Sequence, residues 1–336
     1  MGNSPIVSII SINYNGKRFL KDCLESIQAS EASDAEVIVV DNASTDGSGD
    51  YVRKEFPSVK VMELDRNYGF AEANNRGADF ASGTYLVFLN NDTLVTRGWL
   101  KALLDVMSSD PAVGAVGSKL LLYNQPGKVN SAGANIVFNG GGYDIGFMDA
   151  DAEKYNNSGP KGAVCAASMM VRKKEFLSIG GFDPFYFMYF EDVDLCWRYW
   201  LWGYKVLYVP QSVVYHRFGG TTGSDRHTPL RVFYGTRNTM INILKNNERR
   251  NIFLPLCFNV LHHTAKFLGF ILTLRLKGAR AILMAYGSLL RHLPEVMRKR
   301  KIIQSGRKVT DRFLSENSLI VTLGAAAKEY LRLRKA

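Results

Sequence analysis

At 336 residues, with 46% hydrophobic and 22% charged residues, the chain has room for one large domain and an appendage, and its composition excludes a disordered or fibrous protein. The net charge of +11 is uneven: residues 250–336 hold 17 Lys and Arg against 4 Asp and Glu, a net of +13, which leaves −2 on residues 1–249. Four widely separated cysteines, Cys23, Cys165, Cys196 and Cys257, form no C-x-x-C pair, so neither a zinc knuckle nor a disulfide framework is indicated and a reducing compartment is expected.

Residues 1–5 carry no basic segment, and Ile6–Ile12 is too short and too β-branched for a signal peptide. Ile6 also breaks a myristoylation pattern at Gly2. Val7 to Ile12 predicts a buried strand, and Asn13-Tyr14-Asn15-Gly16 the turn after it. Phe19, Leu20, Cys23, Leu24 and Ile27 share one helical face. Val37 to Val40 predicts a second strand, ended by Asp41-Asn42-Ala43-Ser44-Thr45-Asp46-Gly47, which is rich in turn and helix-capping residues. A third strand over 59–64 leads into Arg66-Asn67-Tyr68-Gly69 and a helix. A fourth, over 85–89, ends at Asn90-Asn91-Asp92-Thr93.

Continuous apolar strands separated by amphipathic helices imply a parallel sheet covered on both faces. Ligands of such sheets bind beyond the carboxyl ends of the strands. Asn13, Asp41, Arg66 and Asp92 fall at or just after those ends and are expected to share one crevice. Beyond Pro111 the pattern loosens, and residues 124–162, rich in Gly and Asn, read as a loop-rich insert on the acceptor side. Order returns with a strand over 164–171 and a helix to Gly180. Short strands are expected at 205–209 and 212–215, a polar Gly-rich loop at 216–222, and a helix over 230–244.

The run from Phe187 to Arg198 places Glu191, Asp192 and Asp194 among aromatic and aliphatic residues. Buried charge is costly unless paired, metal-bound or protonated. A carboxylate against an apolar wall has a raised pKa, which suits a general base. In a helix, residues 191 and 194 share a face and 192 points elsewhere. Asp194 is assigned to a pair with Arg198, and Trp197 and Trp200 to the core. Asp92 suits Mg²⁺ or Mn²⁺, which take few protein carboxylates and fill the rest of their shell with phosphate and water. His216 is either a second ligand or a structural residue, and Asp41 either a nucleotide acceptor or a helix cap.

Taken together, Val39-Val40-Asp41-Asn42-Ala43-Ser44, Asn67-Tyr68-Gly69-Phe70-Ala71-Glu72-Ala73-Asn74-Asn75, Leu89-Asn90-Asn91-Asp92-Thr93, Gly180-Gly181-Phe182-Asp183 and Glu191-Asp192-Val193-Asp194 resemble glycosyltransferase family 2, over about residues 5–245. The Asn-Tyr-Gly-Phe and Leu-Asn-Asn-Asp-Thr forms look most like its rhamnosyltransferase-like branch. The resemblance implies an α/β protein of GT-A type: a mostly parallel twisted sheet with helices on both faces, followed by a C-terminal helical basic extension. It divides the chain into a catalytic domain at 1–249, with a nucleotide-binding half to about 120 and an acceptor half after it, and a tail at 250–336.

It further implies inverting transfer from a nucleotide-diphosphate sugar (UDP- or TDP-linked, rhamnose among the candidates) to a glycan or lipid-linked hydroxyl in cell-surface polysaccharide synthesis. Asp41, with Asn13, Asn42, Arg66, Gly69 and Asn75, is then expected to meet the nucleotide, Asn91 the ribose, Asp92 and His216 a divalent Mg or Mn ion, and Asp192, beside Glu191, the acceptor proton. Asn90 and Asn91 depart from an acidic triplet, which puts metal affinity and nucleotide choice in question. A sugar nucleotidyltransferase would share the sheet but would want a Gly-rich cationic phosphate loop that residues 11–16 lack. A degenerate sugar-nucleotide-binding protein is the non-enzymatic alternative.

In the tail, Asn259, His262, Lys266, Thr273, Lys277 and Arg280 fall near one angular sector, with Phe and Leu over much of the rest. His262, His263 and Lys266 near the middle argue against a membrane span. A basic amphipathic segment on the anionic inner face of the cell membrane is expected, aided by Arg298-Lys299-Arg300-Lys301, with removal of the residues after about 250 releasing the protein. A helical packing or dimerisation segment is the competing reading, and nucleic-acid binding is not expected.

Overall fold

The structure is a computed structural model and describes residues 6–32, 34–219, 228–322, 324–326 and 328. The readings at Gly2, at Gly220-Thr221-Thr222 and at the end of the tail lie outside these residues. The first elements alternate: β1 (Val7–Asn13), α1 (Lys17–Ala29), β2 (Glu36–Asp41), α2 (Ser48–Glu55), β3 (Lys60–Glu63), α3 (Gly69–Phe80) and β4 (Tyr85–Leu89). There follow β5 (Thr93–Val95), α4 (Trp99–Ser109), β6 (Val113–Leu122), β7 (Gln125–Ser131), β8 (Ala134–Val137), β9 (Gly142–Asp144), β10 (Gly159–Pro160), β11 (Ser168–Arg172) and α5 (Lys173–Ser178). The chain continues through α6 (Glu191–Leu201), β12 (Lys205–His216), α7 (Pro229–Asn246), α8 (Phe253–Leu272), α9 (Leu276–Arg291), α10 (Leu293–Ser305), α11 (Asp311–Glu316) and β13 (Ile320–Val321).

The main sheet runs β10-β12-β6-β11-β4-β1-β2-β3. The run β4-β1-β2-β3 is parallel, β11 lies antiparallel between β4 and β6, and β12 is parallel to β6. Strand alternation divides the core cleanly. Ile10, Val40 and Phe88 face one cluster with Phe176, Phe182 and Trp197, while Ile9, Val39 and Val87 face another with Leu20, Leu24, Trp99 and Leu103. Both faces are therefore covered, which is why these strands read as continuous apolar runs. Helix α3 lies so close to the sheet that a Cβ at Gly77 would stand 2.7 Å from Ile10 Cγ2.

Two expectations are amended here. Much of residues 124–162 is irregular, as read, but the segment also carries unexpected short strands: β7 pairs with β6, and β8 and β9 join β13 in a separate three-stranded sheet. Most of these strands are short, and one partner lies far along the chain (Ile320 opposite Ile136), so no local period announces them. Residues 205–216 form one strand, not two. Its pairing with β6 slips between Val209 and Val213, around Pro210, which cannot donate to the ladder.

The tail is two things. Helices α10 and α11 and strand β13 are joined to the preceding chain. Arg300 donates to the carbonyls of Leu244 (2.6 Å) and Asn247 (2.7 Å), Gln304 to that of Lys245 (2.9 Å), and Arg307 to that of Asn246. These side chains satisfy the orphan carbonyls at the end of α7 and place positive charge at its negative pole. Lys299 meets Asp183 at 2.6 Å. Two of the four cations in 298–301 are thus held by the protein itself. Helices α8 and α9 form a hairpin instead. Asn259, placed in the polar sector from the sequence, is buried and donates to the Asn139 carbonyl at 2.9 Å, and His263 is buried against the Tyr286 hydroxyl at 3.0 Å. No helix among the described residues is long and apolar enough to cross a membrane.

Candidate active site

A cleft of about 310 Å³ opens at the carboxyl ends of β1, β2 and β4, against the start of α6 and the end of β12. It is lined by Asn42, Gly69, Asn91, Asp92, Glu191, Asp192 and His216 from the predicted set, together with Tyr14, Asn67, Phe187, Tyr189 and Arg231. Acidic groups about 100 residues apart in sequence therefore face one space.

The nucleotide half is a hydrogen-bonded frame. Asn91 donates to Asn13 (2.7 Å), Asn13 to the Ser44 hydroxyl (3.1 Å), and the Ser44 backbone N–H to Asp41 (2.8 Å). Asn42 donates to Asn67 (3.0 Å) and to the Gly69 carbonyl (3.2 Å), and accepts from the Tyr68 N–H (2.9 Å). Gly69 has φ +76°, and a Cβ there would stand 2.5 Å from Phe187, so only glycine fits. Four predicted nucleotide residues, Asn13, Asp41, Arg66 and Asn75, do not line the cleft. Asn13 and Asp41 stand one layer behind it in the frame just described. Arg66 lies over the Tyr68 ring, 4.7 Å from its centroid. Asn75 is bonded to the backbone of Phe182, donating at 2.7 Å and accepting at 2.9 Å.

Asp92 is buried, and its Oδ1 has no hydrogen-bond partner. It stands 3.3 Å from His216 Nε2. His216 Nδ1 lies 2.7 Å from Asn130 Oδ1, an atom that only accepts, so in the neutral ring the proton sits on Nδ1 and Nε2 offers its lone pair toward Asp92. Two electron-rich atoms facing each other at this distance fit a cation between them, and the Asn130 contact is the kind that orients a metal-binding imidazole. Among the described residues no group of three or more His, Cys, Asp and Glu stands ready for a metal. A hard ion held here would draw its other ligands from phosphate and water, as Mg²⁺ and Mn²⁺ do.

The first turn of α6 lines the same cleft. Asp192 accepts from the N–H groups of Val193 (2.8 Å) and Ala166 (3.3 Å). Burial nevertheless holds its carboxyl above the usual range. Glu191 is buried with Oε2 unpaired, and burial, reinforced by the charge of Asp192, pushes it up to about 8. Burial thus opposes charge on both carboxyls, and Glu191 keeps its proton at neutral pH. Asp194 turns the other way, meeting Arg198 at 2.8 Å and Lys245 at 2.9 Å. Burial alone would raise it, but those cations hold it below the usual range. Trp197 and Trp200 are buried in the core.

Sequence reading missed Tyr14, Asn67, Asn130, Phe187, Tyr189 and Arg231. Asn67 and Phe187 stand inside motifs already singled out, so proximity alone was a sufficient reason to include them. Asn130 sits in the segment read as loop, and Arg231 reaches the cleft only through the packing of α7.

The family model described as glycosyl transferase family 2 matches residues 8–178. The N-acetylglucosaminyl-diphospho-decaprenol L-rhamnosyltransferase of Mycobacterium tuberculosis is 26% identical over 247 residues, covering 66% of this chain and 79% of that protein. Two solved structures share the fold. TarS 1–349 of S. aureus in complex with UDP-GlcNAc superposes with a TM-score of 0.56 at 17% identity, covering 89% of this chain and 86% of that one. The mannosyltransferase PcManGT of Pyrobaculum calidifontis, in complex with GDP-Man and Mn2+, gives 0.52 at 19% identity, covering 90% and 85%.

Proposed function

This chain belongs to glycosyltransferase family 2 and resembles its rhamnosyltransferase-like branch, and we propose that it transfers a sugar, with inversion, from a nucleotide-diphosphate donor to a hydroxyl of a lipid-linked or glycan acceptor during cell-surface polysaccharide synthesis. The observation that carries this reading is that the Asp92–His216 pair and the Glu191–Asp192 pair line the same cleft. Family membership removes the nucleotidyltransferase alternative. The mycobacterial relative, named for rhamnosyl transfer to an N-acetylglucosaminyl-diphospho-decaprenol, favours rhamnose as the sugar and a lipid-linked acceptor. A uridine or thymidine diphosphate is the expected carrier.

Each residue then has a task. The frame of Asn91, Asn13, Ser44 and Asp41 shapes the floor for the nucleoside, and Asn42 and Asn67 fix the loop beside it. Asp92 and His216 would hold Mg²⁺ or Mn²⁺, which when bound offsets charge on the leaving diphosphate. Asp192 accepts the proton of the acceptor hydroxyl as that oxygen attacks the anomeric carbon from the face opposite the diphosphate. Glu191, protonated at neutral pH, keeps a second negative charge away from the base. A single displacement needs no enzyme nucleophile, and it inverts the anomeric centre. Asp192→Asn should abolish turnover while nucleotide binding persists. Substantial residual transfer by that variant would reject the assignment.

We also propose residence on the cytoplasmic face of an anionic membrane, through the α8–α9 hairpin. Residues 249–294 carry seven Lys and Arg and no Asp or Glu. Leu254, Leu261, Leu268 and Leu272 of α8, Leu274 between the helices, and Leu276, Leu283 and Leu290 of α9 are all exposed, Leu272 and Leu274 at 84% and 83%. A helix in water turns its leucines inward; α8 buries Asn259 and His263 and presents leucines outward. Leucines that enter the acyl boundary beside cations that meet anionic headgroups account for both features. Because α10 to β13 are joined to the preceding chain, point substitutions at the hairpin, rather than removal of everything after residue 250, test the idea by vesicle flotation.

A further inference from the structure

The turn that delivers Asp192 is held in an unusual shape. Phe187, Tyr189 and Phe190, none of them glycine, have φ of 62°, 68° and 67°. Left-handed backbone at bulky residues persists only where the surroundings over-determine it, and it clusters at functional sites. Here the surroundings are the start of α3, where the N–H groups of Phe70 (2.6 Å) and Ala71 (3.3 Å) donate to the Phe187 carbonyl, and one face of α7. The Asn238 amide, fully buried, donates to the carbonyls of Tyr186 (3.2 Å), Met188 (3.0 Å) and Tyr189 (2.8 Å). Arg237 donates to the carbonyls of Phe185 and Tyr186. One turn of the helix earlier, the Tyr234 ring stacks on Phe187 (centroids 5.4 Å, planes 8° apart), and one turn before that Arg231 donates to the Tyr189 hydroxyl at 3.0 Å.

We infer that Asn238 and Arg237 are positioning residues for the transfer: by binding the inward-facing carbonyls of residues 185–189 they impose the turn that aims Asp192 into the cleft. The inference rests on the reading of Asp192 as the base. Neither residue lines the cleft, so neither touches a substrate. Five carbonyl contacts converge on the two side chains and satisfy the carbonyls of Phe185, Tyr186, Met188 and Tyr189, of which that of Tyr186 also accepts from the Met188 N–H at 2.7 Å. Released from them, residues 187–190 would relax toward ordinary backbone, and the first turn of α6 would rotate with them. A shift of about 1 Å in a catalytic group costs roughly 100-fold in rate.

The test uses the full chain with a UDP- or TDP-linked sugar that it turns over. Asn238→Leu keeps the volume and removes both donors; Arg237→Lys keeps the charge and part of the donation. The expected result is a kcat lower by about 100-fold for Asn238→Leu, with nucleotide Kd by calorimetry within about threefold of wild type, and a smaller kcat loss for Arg237→Lys than for Arg237→Leu. Wild-type kcat in Asn238→Leu would overturn the inference, as would kcat and nucleotide affinity falling together. If Asn238→Leu does not fold, the Arg237 pair decides in the same way: equal kcat for Lys and Leu overturns it. Asp192→Asn run in parallel separates the two levels. An active Asp192→Asn removes the base reading itself, whereas an inactive one beside an unimpaired Asn238→Leu removes only the clamp.

Discussion

Asp192 and Asp194 sit two residues apart in the same helix, with both carboxyls desolvated by burial, yet replacing each by asparagine should move stability in opposite directions. Asp194 is fully buried between Arg198 (2.8 Å), Lys245 (2.9 Å) and the Asn246 amide (3.0 Å). In Asp194→Asn the guanidinium of Arg198 and the ammonium of Lys245 keep their burial but lose a shared counter-charge, and the new amide turns a donor toward one of them. Removing one partner from a buried pair costs about 3–5 kcal/mol. For 336 residues the unfolding entropy is about 0.7 kcal/mol per kelvin, so the melting temperature should fall by about 4–7 °C. The sign with pH follows from the direction of the shift. The folded-state pKa of Asp194 lies below its unfolded value, so its contribution is present above the ordinary carboxylate range and is lost as pH falls through the lowered value. The deficit should therefore shrink in acid. Asp192 is the converse case: burial without a cation raises its pKa, its charge costs the fold stability at neutral pH, and Asp192→Asn should melt at or above the wild-type temperature. Scanning calorimetry at pH 7 reads both. An Asp194→Asn protein melting within about 1 °C of wild type, or an Asp192→Asn protein losing as much as Asp194→Asn, would refute this account of α6.

Glu191 supplies a pH-dependent prediction. Its folded pKa is raised to about 8, so folding favours its proton, and that stability is lost as pH rises from the ordinary carboxylate range through 8. Glu191→Gln should match wild type in thermal shift at pH 5 and exceed it at pH 9; equal differences at both values would count against a protonated Glu191. Asp92→Ala should make nucleotide affinity insensitive to Mg²⁺ or Mn²⁺ in a titration where wild type responds, and an undiminished metal response would move the ion elsewhere. Joint replacement of Leu272, Leu274 and Leu276 by serine should abolish flotation with phosphatidylglycerol vesicles while leaving turnover of a water-soluble acceptor intact. Equal flotation of both proteins, or none by wild type, would assign the hairpin to protein contact.

The sequence by itself determined the central sheet and the polar ends of its strands. Apolar β-branched runs such as Val37–Val40 must be buried on both sides, and a residue such as Asp92, placed where such a run stops, must lie near the carboxyl edge of the sheet. Backbone geometry sets those periods locally, so no distant partner is needed to read them. The same holds for the pairing of Asp194 with Arg198, one helical turn apart. Only the tertiary structure decided what depends on a residue far along the chain. Asn75 is taken up by Phe182, Lys299 and Arg300 by Asp183 and the end of α7, and β8 becomes a strand because Ile320 lies beside it. The left-handed turn before Asp192 exists because Asn238 collects its carbonyls from about 50 residues away. Such contacts leave no period in a sequence, because their free energy is realised only when both segments are already in place.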